Sequence, residues 1–304
     1  MQAGPRDYLQ LHFLVLIWGF TAILGVLITI PAVEIVFYRT LFAFIALGAL
    51  LFIRKRNFNL GPTEIIKILG TGFLIAAHWI LFFAAARVST VSVTLAGIAT
   101  CSIWTSFIEP LATNRKIKWF EVVIGGIVML GLYIIFQFEF DHVLGLVMAL
   151  VSAFLAALFT VINGKFTKRH HPYMITFYEM IGACLGTALF FPVYIKYFAV
   201  DGALHLVPTN MDWVYLTVLA LICTVYAYSV SVELMQKMSA YVINLTVNME
   251  PVYGIILAVI FFNEDEKMTT GFYWGTLVIL LSVLVYPLIN RYYKRKALRT
   301  DNLR

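Results

Sequence analysis

The sequence predicts an all-α integral membrane protein with ten transmembrane helices arranged as two inverted five-helix repeats. Three observations predict it. First, the 304-residue chain is 62% hydrophobic and 12% charged, with a mean hydropathy of +0.89. A soluble domain carries about 25% charged residues, so this chain has too little polar surface to cover itself in water. Second, basic residues alternate between the two sides of the predicted spans. Third, the two halves resemble each other under a shift of about 150 residues.

A helix needs about 20 mainly apolar residues to cross a bilayer, and ten such stretches follow in order. Span 1 covers 9–30. It is too long for a cleavable leader, only Arg6 flanks it, and no small-residue cleavage site follows. Span 2 (34–53) holds Arg39 within it. Span 3 (65–86) has His78 and Trp79 near its middle. Span 4 (90–112) carries Thr94, Gly97, Cys101, Ser102, Thr105, Ser106 and Glu109, together with Trp104. At 100° per residue those seven small or polar residues share one half of the helix, an arc of about 180°. Such a face is either wet or closely packed against protein.

Span 5 covers 118–138 and span 6 covers 143–165. Span 7 (172–198) carries Glu179 on a stripe with Gly182, Ala183 and Gly186, a pattern that lets helices approach closely. Span 8 (212–235) places Tyr228 where span 3 has His78. Span 9 (239–262) contains VNMEPVYG at 247–254, which sets Asn248, Glu250 and Pro251 amid apolar residues. Pro251 cannot donate to the carbonyl of residue 247, so a kink is expected. Asn244, Asn248 and Pro251 fall on one face, and Thr246, Glu250 and Tyr253 on the opposite one. A helix polar on both sides belongs in the centre of a bundle, with one face on a cavity and the other on a neighbour. Span 10 covers 269–290.

Charge sets the expected orientation. With the N-terminus in the cytoplasm, eighteen of the 22 Lys and Arg residues lie on the inner side. Arg87, Lys196 and Lys267 lie outside, and Arg39 lies within a span. This is a strong positive-inside bias. The acidic run Glu264–Glu266 falls on the outer side. The basic, aromatic tail 291–299 fits attraction to anionic lipid better than binding to nucleic acid. Cys101, Cys184 and Cys223 all fall in spans, without the spacing of a metal site or a disulfide framework.

The repeat supplies the functional expectation. RVSTVSVTL (87–95) falls on KMSAYVINL (237–245), and Gly125 on Gly275. Under a shift of 140, FYR (37–39) falls on FYE (177–179). The expected halves are 1–140 and 141–304, the second with a short basic cytoplasmic tail. Five spans per half is an odd number, so the halves are inverted. Inverted repeats are typical of secondary transporters, whose substrate site lies near the midplane at the repeat interface. The expected site is bounded by spans 3, 4, 8 and 9.

Local motifs then resemble a known family. IWGF (17–20) is similar to a Trp-Gly near the start of a repeat, and FYR (37–39) to an aromatic-x-Arg. FFAAARVSTVSVTL (82–95) resembles a short hairpin into a helix of small residues. EP (250–251), NE (263–264) and Gly275 match a Pro, Glu and Gly spacing. Together they resemble the drug/metabolite transporter superfamily and its EamA-type members over nearly the whole chain. Two positions depart: Cys101 stands where the second repeat has Pro251, and Asn114 where it has Glu264. The resemblance implies a multi-pass bacterial inner-membrane exporter or exchanger of small organic metabolites, such as amino acids or amines.

The candidate substrate-binding or coupling residues are Arg39, His78, Trp79, Cys101, Trp104, Glu179, Tyr228, Asn244, Asn248 and Glu250, with Pro251 as the kink. For each, a structural role stands beside the functional one. Arg39 either snorkels to the outer headgroups or faces the cavity. Glu179, His78 and Glu250 are either bonded packing groups or ligand and proton sites. No catalytic residue, metal or cofactor is expected. Partners are expected to be a small-molecule substrate, membrane lipids and protons as a coupling ion. A lipid-intermediate flippase is the nearest competing reading. An intramembrane transferase is further off, because neither Glu264–Glu266 nor His170–His171 faces a second acidic cluster. No phosphate-binding loop motif points to ATP.

Overall fold

The computed structural model describes residues 3–55, 60–136, 143–199, 201–254 and 270–301. Among these there are helices and no strands. Span 1 is α1 (Pro5–Leu27), span 2 is α2 (Ala32–Ile53) and span 3 is α3 (Pro62–Val88). Span 4 is two helices, α4 (Val91–Ile98) and α5 (Cys101–Thr113). Span 5 is α6 (Trp119–Phe136), span 6 is α7 (Val143–Phe166) and span 7 is α8 (Pro172–Tyr197). Span 8 joins α9 (Asn210–Ala220), a π-helical turn (Leu221–Tyr226) and α10 (Ala227–Leu234). Span 9 begins with α11 (Ala240–Val247) and resumes as helix over 250–254. Span 10 is α12 (Thr270–Asp301). The acidic run Glu264–Glu266 lies outside the described residues.

Helix starts follow local chemistry. Pro opens α1, α3 and α8, where its missing N–H would have no partner anyway. Thr90 caps α4 by accepting from Val93 N at 3.1 Å, and Ser239 caps α11 by accepting from Val242 N at 3.4 Å. Seven described segments are long and apolar enough to cross a membrane unaided: spans 1, 2, 3, 6, 7, 8 and 10. The shorter crossings are α6 and the two interrupted spans, 4 and 9.

Those interruptions occur at equivalent places in the two repeats. In span 4, Thr100 N bonds three residues back to Gly97 O at 3.1 Å, and its hydroxyl takes the same carbonyl at 2.7 Å. In span 9, Asn248 N bonds to Leu245 O and Met249 N to Thr246 O, again three back. The expected kink is therefore a break just before Pro251. It tightens one turn and rotates the following residues relative to α11.

Two apolar clusters hold the bundle. One joins α2, α3, α7, α8 and span 8. The other joins the first half of α1 with α6, span 9 and α12. Trp18 packs against both, and the space between them is the candidate site. Helix α8 lies close on α3 because Gly72 and Gly182 face each other's backbones. A Cβ on Gly72 would collide with the Glu179 carbonyl, and one on Gly182 with Leu69.

Candidate substrate cavity

Helices α1, α2, α3, α7 and spans 4, 8 and 9 enclose one cavity between the clusters. It offers about 100 Å³ to the centres of water-sized spheres. One water needs roughly 10–15 Å³ by that measure, so a small organic molecule fits. The wall is wider than the four spans expected. Spans 1, 2 and 6 join it through Trp18, Thr21, Arg39, Ala156, Phe159 and Thr160.

The cavity lies off-centre. Its lining reaches Met235, just past the end of α10, and Ile243, near the start of α11. On the opposite face, among the helix ends that lie in the described residues, no lining residue comes within five positions of one. That face is pinned shut around the turn between α1 and α2. Arg87 donates to the carbonyls of Ile28 at 2.8 Å and Ile30 at 2.6 Å. Asp212 accepts from Thr29 N at 2.8 Å and from its hydroxyl at 2.7 Å. The turn thus bridges the two repeats, α3 on one side and α9 on the other.

Seven candidates line the cavity: Arg39, His78, Trp79, Cys101, Tyr228, Asn244 and Glu250. Arg39 does not snorkel. It is 3% exposed, its Nε donates to Thr224 Oγ1 at 2.7 Å, and its guanidinium lies 3.7 Å from the Trp79 ring centroid. The π turn makes this possible. By bonding five residues back to Leu219 O at 2.9 Å, Thr224 presents its hydroxyl oxygen to Arg39. Trp18 Nε1 donates to Cys223 O in the same turn at 3.1 Å. Among the described residues, the other two Arg39 nitrogens have no protein hydrogen bond and no carboxylate pairs with Arg39.

Glu250 is the acidic residue on the same cavity. It is 6% exposed, and its carboxylate has no protein hydrogen bond among the described residues. Arg39 and Glu250 are close enough to feel each other's charge but make no ion pair. His78 Nδ1 lies 2.9 Å from the Ser152 carbonyl, while the Ser152 hydroxyl donates to His78 O at 2.8 Å. A carbonyl only accepts, so Nδ1 carries the proton. In the neutral ring that leaves Nε2 as an acceptor. The remaining wall is aromatic, with Trp18, Trp79, Phe82 and Phe159.

Three candidates lie elsewhere. Trp104 is 39% exposed and packs edge-on against Phe154, on the outside of the bundle. Within α5 it lies about 130° round the helix from the centre of the polar face formed by Cys101, Ser102, Thr105, Ser106 and Glu109. Asn248 donates to Ser102 Oγ at 3.0 Å, and Asn244, while lining the cavity, donates to Thr105 Oγ1 at 2.7 Å. The polar stripe of span 4 is therefore largely a packed face against span 9. Glu179 is fully buried one layer behind the wall, accepting from Tyr228 Oη at 3.2 Å. The break in span 9 also overturns the two-faced expectation. It swings Glu250 onto the cavity side that Asn244 and Val247 already line.

Thr21, Phe82, Phe159, Thr160, Ser231 and Met235 also line the cavity, and no sequence pattern singles them out. Nothing separates them from ordinary core residues until the helices are assembled.

A family model for EamA-like transporters matches residues 8–137 and again 143–286. The chain belongs to the EamA-like transporter family. It is a multi-pass membrane protein of a family that transports small molecules. Its two family matches correspond to the two five-span repeats. No curated protein sequence matches it significantly. A solved crystal structure is similar over 94% of this chain and 99% of its own, with a TM-score of 0.74 at 12% identity. That likeness establishes the fold alone.

Proposed function

We propose that this EamA-like protein is a secondary transporter that exports small metabolites bearing an amino group, such as amino acids or amines, across a bacterial inner membrane. One observation carries the reading. Arg39 and Glu250, each without a protein counter-ion among the described residues, face the same aromatic-walled cavity. A buried charge without a partner is expensive, and a ligand of opposite charge offsets that cost. Arg39 suits a carboxylate, Glu250 suits an ammonium group, and His78 Nε2 accepts from an N–H donor. The aromatic wall suits an apolar side chain.

The positive-inside bias supports an orientation with both termini in the cytoplasm. The cavity then lies toward the cytoplasm, which suits loading for export. The halves 1–140 and 141–304 rock about the cavity, with spans 4 and 9 bending at their breaks, and the coupling ion is the proton. Discontinuous helices at a midplane site fit alternating access.

The test compares metabolites in the medium of cells expressing wild type or Glu250→Gln at matched levels. Accumulation of amino acids or amines with wild type alone supports export through Glu250. If both variants match cells without the protein, the export reading fails and flipping of a lipid intermediate gains. If both export equally, the Glu250 carboxylate does not bind cargo.

A further inference from the structure

We propose that Glu179 is a dedicated proton site. It is held neutral behind the cavity wall and exchanges its proton with the cavity through Tyr228. Its part in coupling rests on the transport reading above; the protonation itself does not.

The argument starts from hydrogen-bond accounting. Asn163 Nδ2 donates to Tyr228 Oη at 2.9 Å, and Tyr228 Oη donates to Glu179 Oε2 at 3.2 Å. Asn163 and Glu179 are both fully buried, and the Asn163 side chain neighbours the Glu179 carboxyl directly. Two acceptors in this cluster are buried without a donor: Glu179 Oε1 and Asn163 Oδ1. Buried polar atoms are nearly always satisfied. A single added hydrogen, on the Glu179 carboxyl, supplies the missing donor. The same hydrogen removes an unpaired negative charge from the bilayer interior.

Among the described residues, no neighbour supplies a compensating cation. From α7 the carboxyl meets Asn163, and from α10 it meets Tyr228. Glu233 on α10 is exposed. From α3 the approach is the backbone at Gly72; Lys67 is paired with Glu64, and His78 is bonded to Ser152. From α2, Arg39 is turned to Thr224 and Trp79, and Glu34 accepts from His205 N.

Tyr228 separates this carboxyl from the cavity. Its ring lines the wall and packs against Trp79 and Phe159 at centroid distances of 6.0 and 6.2 Å. Cargo in the cavity reaches Arg39 and Glu250 but not Glu179. Loading is a relay. A hydronium ion in the cavity protonates Tyr228 Oη while the Tyr228 hydroxyl proton moves to the Glu179 carboxylate. Water, an unchanged phenol and a neutral carboxyl remain. The reverse relay unloads the site.

The experiment is infrared difference spectroscopy on the full chain in a lipid bilayer at neutral pH, without added cargo. A protonated-carboxyl band is expected in wild type, retained in Glu250→Gln and lost in Glu179→Gln. In Tyr228→Phe, which keeps the carboxyl, the band is expected to shift as its hydrogen bond is lost. Its isotope shift after transfer to heavy water is expected to slow. Absence of any band that Glu179→Gln removes overturns the proton site. Should Glu179→Gln fail to fold, an unshifted band in Tyr228→Phe overturns the assignment instead. Unchanged exchange in Tyr228→Phe overturns the relay. A confirmed band in a protein that exports nothing would sink the transport reading and leave this one standing.

Discussion

Replacing Arg39 tests whether its charge belongs to the fold or to a ligand. Consider Arg39→Met, which keeps most of the volume and removes the charge. The fold loses the bond from Nε to Thr224 at 2.7 Å, worth about 1.5–3 kcal/mol for a charged donor. It also loses the cation stacked 3.7 Å over Trp79, worth about 2 kcal/mol when desolvated. Thr224 is not stranded, because its hydroxyl still donates to Leu219 O. Against these losses stands the cost of holding an unpaired guanidinium away from water, about 2.5–3.5 kcal/mol on insertion scales. The terms nearly cancel, and Arg39→Met should lie within about 2 kcal/mol of wild type. Arg39→Lys should be worse. It keeps a cation that is more strongly hydrated, yet loses both the Nε bond and the planar stack. The assay is the unfolding midpoint of the purified proteins, measured beside export. Met near wild type, Lys lowest and neither exporting is the expected order. If Lys matches wild type while Met falls by several kcal/mol, the charge is structural and the reasoning that reserves it for cargo fails.

Three further outcomes follow from packing. Gly70 is exposed with nothing near its Cβ position, whereas Gly72 faces the α8 backbone. Unfolding midpoints should therefore rise with Gly70→Ala, by up to about 1 kcal/mol, and fall with Gly72→Ala, by about 1–3 kcal/mol. A double-mutant cycle on Ser102→Ala and Asn248→Ala should give a coupling of about 0.6 kcal/mol, up to about 1.7, as interhelical bonds in membranes do. A coupling of zero would show that the break in span 9 is not fastened to span 4. Glu121 is fully buried and accepts from Lys118 Nζ and Tyr286 Oη, each at 3.0 Å. Glu121→Ala should cost about 1–3 kcal/mol in denaturant unfolding, because the buried Tyr286 hydroxyl loses its acceptor while Lys118, a third exposed, can turn to water.

The spans were legible because a bilayer imposes a length and an apolar composition on every helix. Arg39 and Glu250 were legible as candidates because a charge is conspicuous in such a stretch. Their meeting on one cavity was not. It depends on a π turn in span 8 that aims Thr224 at Arg39, and neither LICTVY nor its neighbours carries a residue that marks such a turn. The two faces assigned to span 9 assumed an unbroken helix. Pro251 signalled a kink, but the three-residue bonds at Asn248 and Met249 set its direction. Trp104 is a candidate because it lies in the same span as the polar stripe. At 100° per residue it falls just outside the stripe's edge at Gly97, about 20° away, and the break between α4 and α5 leaves it on the outer face.

The repeat explains why the two buried ionisable residues, Arg39 and Glu179, sit so differently. Arg39 and Glu179 each lie seven residues after the start of their helices, α2 and α8. Inversion places them at opposite depths. His78 and Tyr228 are equivalent in the same way, and each bonds to α7, His78 at Ser152 and Tyr228 at Asn163. In the first repeat the charged residue faces the cavity beside its aromatic partner Trp79. In the second, a phenol closes over the carboxyl and removes it from the cavity. The backbone symmetry supplies two matched positions, and the side chain at each decides whether cargo can touch it. A pseudo-symmetric scaffold can thus hold a cavity-facing guanidinium and a buried carboxyl within one bundle without the two pairing.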